Sequence, residues 1–533
     1  MSKSLQESFG QRLASHARNL PNHSAVQCDE KALTYDSLAG HAAQLANGIV
    51  RMGLAPGRPP RIGVLATNSV EYSITVATCY AYGFCLVPIP SLIAPDAQAR
   101  MLVDADVGIL FVSDNLRHKA REAIALAAAS GKGVVAIALD FADSPWPTFS
   151  DVLRLEKAIF AGGFALPEWE ANIIYSSGTT GMPKGIMHTH HARGVQFEKI
   201  GAFGFSTDTQ LIDPVNLYSN FGVSGLTATL YWGGTTLMMS KFSVAAMVGF
   251  YKSYKPCVAW IVPAVLLRTL ADPAFENAVK ATHTLKICSG APLSAAQKQE
   301  CLLKWPGRLI ESYGQTETGI ATTLDVNNAP ADKLGSVGRA VRNCAIVIVG
   351  EDRRALEADA IGEVAVNTPD LMGDYHGRAQ GDSKIFWHDS QGRRFKLTGD
   401  LGRLDADGYL WLSGRTGETI ISGGYNVYAV DIEAALSDHP AVLEVAVVGA
   451  PSRKWGETPV ACVQLRGGAK VDVEELRRWA NARVGEVQRL AGVEVYAELP
   501  RGTLGKILKR QLREELASRG DDYQQPLDQP SNN

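Results

Sequence analysis

IIYSSGTTGMPKGIMHTHH, residues 173–191, is the stretch from which this chain is best read. An apolar approach (Ile173, Ile174, Tyr175) runs into Ser176, Ser177, Gly178, Thr179, Thr180 and Gly181, and Met182, Pro183, Lys184 and Gly185 follow. Three glycines and four hydroxyls thus fall within ten residues. Glycines let a loop turn tightly and expose successive backbone N–H groups, and such a nest binds anions. The hydroxyls add donors, and Lys184 adds a point charge suited to phosphate. The string is not a Walker A loop. That motif needs four residues between its first glycine and Gly-Lys, then Ser or Thr. Here two residues separate Gly178 from Gly181, and Gly185 follows Lys184.

On the N-terminal side of the loop, helical and strand patterns alternate. Strands are predicted at 61–67, 85–90, 108–113 and 133–139, and helices at 70–83, 97–105 and 115–130. Short buried strands alternating with helices indicate βαβ units and a mainly parallel sheet. On the C-terminal side the alternation repeats, with strands at 234–240, 257–263 and 284–290. LIESYGQTETG (309–319) reads as a strand entering a polar loop. Ligands of open parallel sheets gather at the carboxyl ends of strands, so the loops after 175, 289 and 312 are expected at one edge. From about 333 to 413, short strands with turns such as DADG (405–408) predict a small barrel-like antiparallel subdomain. Beyond 414–418 a small α+β domain is expected, with Asp472 capping a helix and a last helix beginning near Lys506. The expected fold class is therefore α/β. A large N-terminal domain (1–414) holds two βαβ-type sheets and the barrel-like part, a small mobile domain spans 415–520, and a polar tail (521–533) is disordered.

Composition bounds the function. The chain has 533 residues, 46% hydrophobic and 20% charged, which predicts an ordinary globular protein of more than one domain. A formal net charge of −3 gives no electrostatic case for nucleic acid as a partner. The eight cysteines are scattered, with no CxxC or Cys/His cluster, which argues against zinc and fits a reducing cytoplasm. The uncharged run 73–90 is interrupted by Gly83, Pro88 and Pro90. It therefore reads as a buried helix followed by a strand, and no integral membrane association is expected. A homodimer is compatible with the sequence.

Five further stretches follow in order: CSGAPL (288–293), SYGQTETG (312–319), TGD (398–400), GRTGETI (414–420) and PRGTLGK (500–506). Together with 173–191 they resemble the adenylate-forming superfamily, which includes acyl-CoA and aryl-CoA synthetases, along nearly the whole chain. The resemblance implies ATP, Mg2+ and coenzyme A as cofactors and a small carboxylic acid as substrate. It implies an AMP-forming ligase, with two alternatives: loading of an acyl group onto a separate carrier protein, or nucleotide binding without catalysis. Ser176, Ser177, Gly178, Thr179, Thr180 and Lys184 would hold phosphates, and Gly290, Ala291 and Pro292 would lie along adenine. Glu311, Ser312, Tyr313, Gly314 and Thr316 would complete the nucleotide site, with Tyr313 stacked on the base. Asp400 and Arg415 would take the ribose, and Glu317 the metal. Lys506, Thr180 and Glu317 would be catalytic.

A lysine at a helix start opposes the dipole, so local stability does not account for Lys506. Gly423, Gly424, Tyr425, Arg453 and Lys454 would meet CoA, and Tyr218, Phe221, Trp260, Val262 and Cys288 would line an acyl pocket. Three positions depart from the family pattern: Gly417 at the hinge, Glu418 beside it, and Ala429 where proline is frequent. Residues 217–225 also lack the family's frequent histidine gate.

Overall fold

The computed structural model describes residues 7–57, 61–142, 145–154, 163–176, 184–254, 257–279, 284–377, 385–422, 425–502, 505–520 and 523. The phosphate-loop residues Ser177, Gly178, Thr179 and Thr180, the pair Gly423 and Gly424, and the tail apart from Tyr523 lie outside the described residues.

Two sheets face each other across one apolar core. The first has six strands among the described residues, in the order Val135–Ala138, Val107–Val112, Arg61–Leu65, Leu86–Pro88, Glu170–Ser176, Lys184–Thr189. All pairings in it are parallel except the last. The second has nine strands, six of them parallel neighbours from Leu309–Gln315 through Leu285–Ser289, Val258–Ile261, Gln210–Asp213 and Thr235–Met238 to Ser24–Cys28. The helix Val70–Tyr82 lies in the core shared by both sheets. Ser69 caps its start, accepting from Tyr72 N at 3.1 Å, and Gly83 ends it in the left-handed region. Every residue from Tyr72 to Ala81 is buried, because a helix packed on all sides is apolar all round. The uncharged run 73–90 is this helix and the strand Leu86–Pro88. No helix among the described residues is long and apolar enough to cross a membrane.

Two features depart from the sequence pattern. Ser24–Cys28 forms an antiparallel hairpin with Lys31–Thr34, and its other edge joins a strand far away in sequence. It pairs parallel to Thr235–Met238 in the second sheet, with Val26 opposite Thr236. Lys184–Thr189 is a strand, returning antiparallel to Glu170–Ser176.

Residues 345–415 form a five-stranded antiparallel sheet centred on the long strand Arg394–Leu404. Arg339–Ala340 belongs instead to the nine-stranded sheet, beside Gly319–Asp325. Sheet membership changes between Arg415 and Ile420. Ile420–Ser422 begins the last sheet, whose two faces carry different cores. Ala429–Ser437 and Val473–Asn481 pack on one, and Lys509–Arg519 packs on the other. The last helix starts at Lys509, so the expectation that Lys506 opens it is corrected. Lys506 stands in a preceding turn closed by Gly502 N donating to Lys506 O at 2.8 Å, and the dipole argument does not apply to it. All eight cysteines are free thiols, and seven are buried.

Candidate functional site

The site grows from the ends of two adjacent parallel strands. Ser289 and Ser312 are register partners, and Ser289 Oγ donates to Ser312 O at 2.9 Å. The strand Leu309–Gln315 then reverses within three residues into Gly319–Asp325. The reversal is tight enough to dictate its glycines. A Cβ on Gly314 would stand 1.9 Å from Gly319 O, and one on Gly319 (φ +59) 2.2 Å from Asp370 Oδ2. Only glycine fits either place.

Tyr313, Gln315 and Arg415 converge on Asp400, which is buried. Asp400 Oδ2 accepts from the Tyr313 hydroxyl at 2.7 Å and from Gln315 Nε2 at 2.9 Å, and Oδ1 accepts from Arg415 Nε at 2.7 Å. A carboxylate offers roughly four lone-pair positions, so about one remains for a ligand. Burial first, then the Asp400 charge, hold the Tyr313 phenol well above its ordinary pKa, so it stays a donor.

Beside this cluster, Glu317 Oε1 accepts from the Tyr375 hydroxyl at 2.9 Å, and Glu317 O accepts from Met372 N at 2.8 Å. Lys184 Nζ lies 5.3 Å from the centre of the Tyr375 ring, over its face. Tyr375 thus bridges Lys184, at the start of the strand Lys184–Thr189, and Glu317 in the turn between Gln315 and Gly319. Lys506 is exposed to solvent. Lost hydration lowers its pKa, Arg415 pushes the same way, and Asp400, Glu317 and Glu418 oppose. The ammonium therefore sits within electrostatic range of the cluster, although Lys506 is more than a hundred residues beyond Asp400 in sequence.

Other expected site residues lie apart. Glu311 is buried, with Oε2 2.6 Å from the buried Lys298 ammonium and Oε1 accepting from Leu293 N at 2.9 Å. Its side chain therefore secures the 290–293 loop from behind. Cys288 faces away from Trp260. Trp260 is opposite Ile287 and Ile261 opposite Cys288, and register partners share a sheet face. Cys288 thus packs in the core on the other side. Phe221 does stack on Trp260, with centroids 4.3 Å apart. Tyr218 is buried and accepts from Asn216 Nδ2 at 3.1 Å, and Val262 Cγ1 lies 3.6 Å from where a Gly290 Cβ would stand. Tyr425, Arg453 and Lys454 are exposed on the small domain. Lys454 Nζ lies over the Trp455 ring at 4.6 Å.

Four residues escaped the motif reading: Gln315, Tyr375, Lys396 and His188. Gln315 lay inside the quoted SYGQTETG. Lys396 gave a signal in FKLTGD, a lysine within an apolar strand. It is buried, it donates to Leu397 O at 2.5 Å, and desolvation lowers its pKa against the pull of Glu317 and Glu363. Tyr375 gave no local signal.

The sequence profile of the AMP-binding enzyme family matches residues 13–376, and that of the AMP-binding enzyme C-terminal domain matches residues 431–506. The chain is 29% identical over 511 residues to an indoleacetate–CoA ligase of Aromatoleum aromaticum, covering 94% of this chain and 97% of that protein. It is 27% identical to the fatty acid–[acyl-carrier-protein] ligase ScoC of Streptomyces coeruleorubidus, covering 94% of each. Among solved structures it resembles ATP-bound MatB from Rhodopseudomonas palustris, with a TM-score of 0.83 and 26% identity over 96% of this chain and 99% of that one.

Proposed function

The chain belongs to the AMP-binding enzyme family, and from that premise we propose that it is an ATP-dependent carboxylic acid:CoA ligase. A carboxylate oxygen of the acid attacks the α-phosphorus of ATP, the bond to pyrophosphate breaks, and an acyl-adenylate forms. The CoA sulfur then attacks the acyl carbon, and AMP leaves. The observation that carries this reading is the convergence of Tyr313, Gln315 and Arg415 on the buried Asp400, beside Glu317.

One anion attacking another needs positive charge and fixed donors where charge grows. Thr179, Thr180 and Lys184 are proposed for the β- and γ-phosphates, with Ser176, Ser177 and Gly178 in the same loop. Thr316 is proposed for the α-phosphate, and Lys506 for the attacking carboxylate and α-phosphate together. Gly290, Ala291 and Pro292 line adenine, and Tyr313, its hydroxyl held by Asp400, offers its ring to the base. The remaining lone pair of Asp400 takes a ribose hydroxyl.

Glu317 suits Mg2+, a hard cation that takes one or two carboxylates and draws its other ligands from phosphate and water. No cluster of three metal-ligating side chains is present among the described residues, so Glu317 would share the ion with the nucleotide. Bound there, the ion neutralises phosphate charge. Replacing Tyr375 by phenylalanine should free Glu317 and raise the magnesium concentration for half-maximal rate about five- to tenfold, the scale of one ordinary hydrogen bond of about 1 kcal/mol. Titration of the variant with magnesium checks this.

In the second step the small domain would turn about residues near 417 and bring Gly423, Gly424 and Tyr425 toward pantetheine. Arg453 and Lys454 would lie toward CoA phosphates. The similarity to ScoC supports a second acceptor, a phosphopantetheinylated carrier protein. The test offers ATP, magnesium and a panel of organic acids with either CoA or such a carrier, and measures pyrophosphate and AMP. Release of ADP and phosphate would refute the reading. Pyrophosphate release without either thioester would leave adenylation alone.

A further inference from the structure

We propose that His188 is a positioning residue for the Thr316–Glu317 turn, a single-tautomer imidazole tying the Thr316 carbonyl to the buried guanidinium of Arg193. His188 stands on the strand Lys184–Thr189 and is fully buried. Its Nε2 lies 2.7 Å from Thr316 O. A carbonyl only accepts, so Nε2 carries the hydrogen. Nδ1 is then bare, and it faces two donors, Asn172 Nδ2 at 3.2 Å and Arg193 Nη2 at 3.4 Å.

The partners fix one another. Asn172 Oδ1 accepts from Arg193 Nε at 2.7 Å and from the Tyr80 hydroxyl at 3.1 Å, which turns its amide nitrogen to His188. Arg193 Nη1 donates to Gln196 Oε1 at 2.6 Å and to Ser224 Oγ at 3.2 Å. Every hydrogen-bond acceptor around this buried guanidinium is thus uncharged. Burial, then the Arg193 charge, hold the His188 pKa well below its ordinary value, so the ring stays neutral. Asp370, the carboxylate whose field reaches Arg193, spends Oδ1 on Lys199 at 2.6 Å.

A histidine satisfied only by core neighbours would need no such chain. This chain ends on the residue before Glu317, and the next carbonyl of the same turn is held from the other side by Met372 N. Two successive carbonyls are therefore pinned by groups outside the turn. A buried, fully paired polar network is rigid, and support of this kind holds acting side chains in place. Misplacement of a reacting group by 1 Å can cost on the order of a hundredfold in rate.

The kinetic arm of the test rests on the ligase reading. Glutamine can donate to Thr316 O and accept from Asn172 and Arg193, whereas leucine fills the space and does neither. With an acid that supports exchange of labelled pyrophosphate into ATP, His188→Leu should lower kcat about tenfold and change the KM for ATP less than threefold. His188→Gln should stay within about threefold of wild type, and both should melt as folded proteins. Equal loss in the two variants, or none in His188→Leu, overturns the proposal. A second arm needs no turnover. Ring 15N signals of the histidine-labelled protein, assigned by the peak missing in His188→Gln, should show Nε2 protonated and Nδ1 bare. The opposite tautomer overturns the proposal even if leucine at this position prevents folding. A wild type that never exchanges pyrophosphate would instead sink the ligase reading and leave the 15N arm standing.

Discussion

Replacing Lys506 with alanine should slow exchange of labelled pyrophosphate into ATP by on the order of 10²–10³, the usual cost of removing one preorganised donor from a site of developing charge. The turn that carries Lys506 is held by its own backbone, with Gly502 N donating to Lys506 O. The truncation should therefore leave the melting temperature nearly unchanged. Under the proposed reading the lysine serves only the first step, so thioester formation from supplied acyl-adenylate should proceed at close to the wild-type rate. Equal damage to both steps would remove the lysine from its assigned role. The sign of the pH effect also follows. Desolvation and Arg415 lower the Lys506 pKa, and the charged form is the active one. In kcat/KM, which reports the free enzyme, activity should fall with rising pH below the ordinary lysine value of about 10.4. An arginine at this position stays charged throughout, so any residual activity of Lys506→Arg should lack that alkaline limb.

Replacing Asp400 with alanine should raise the KM for ATP by roughly ten- to a hundredfold and cost about 1–3 kcal/mol of stability, the penalty for stranding buried donors. Tyr313 and Gln315 lose their acceptor outright. Arg415 is 43% exposed on its side chain and can turn to water, so its share of the loss is small. Steady-state kinetics in ATP and thermal melting separate the two effects. A lower melting temperature with an unchanged KM would make Asp400 an anchor for Tyr313 and nothing more.

Local periodicity made much of the fold readable. Val70–Tyr82, Arg61–Leu65 and Val107–Val112 each show the apolar spacing of their element, and the helix also carries its Ser and Gly stops. Partner choice was not readable. SAVQC at 24–28 has the composition of many buried strands, and nothing in it names Thr235–Met238, some two hundred residues away. Cys288 and Trp260 were both expected to line the pocket, but the face each presents depends on inter-strand register. The last helix was expected to begin near Lys506 but begins at Lys509, and no side chain caps its start to mark it.

At the site, motif order picked out Tyr313, Asp400 and Arg415, which meet within hydrogen-bond reach. It could not pick out Tyr375 or His188. Their partners, Glu317 and Thr316, are 58 and 128 residues away in sequence. The burial of Glu311 against Lys298 depends on how the preceding helix, Ala295–Lys304, docks on the sheet.

The link between the two halves of the molecule is clamped at both ends and folded into one turn between them, where Glu418 N donates to Arg415 O at 2.9 Å. Thr416 N and Oγ1 both donate to Gly399 O, at 2.9 and 2.7 Å, and Ile420 is fully buried in the small domain. Gly417, Glu418 and Thr419 lie between the two clamps, and among the described residues Gly417 alone of the three makes no hydrogen bond back to Arg415. Nothing stands within 4 Å of where a Gly417 Cβ would be, and its φ is not left-handed. A larger residue would fit there, so steric need does not select the bare backbone. Its effect is on chain entropy, since glycine there makes a freer swivel than a side-chain-bearing residue would.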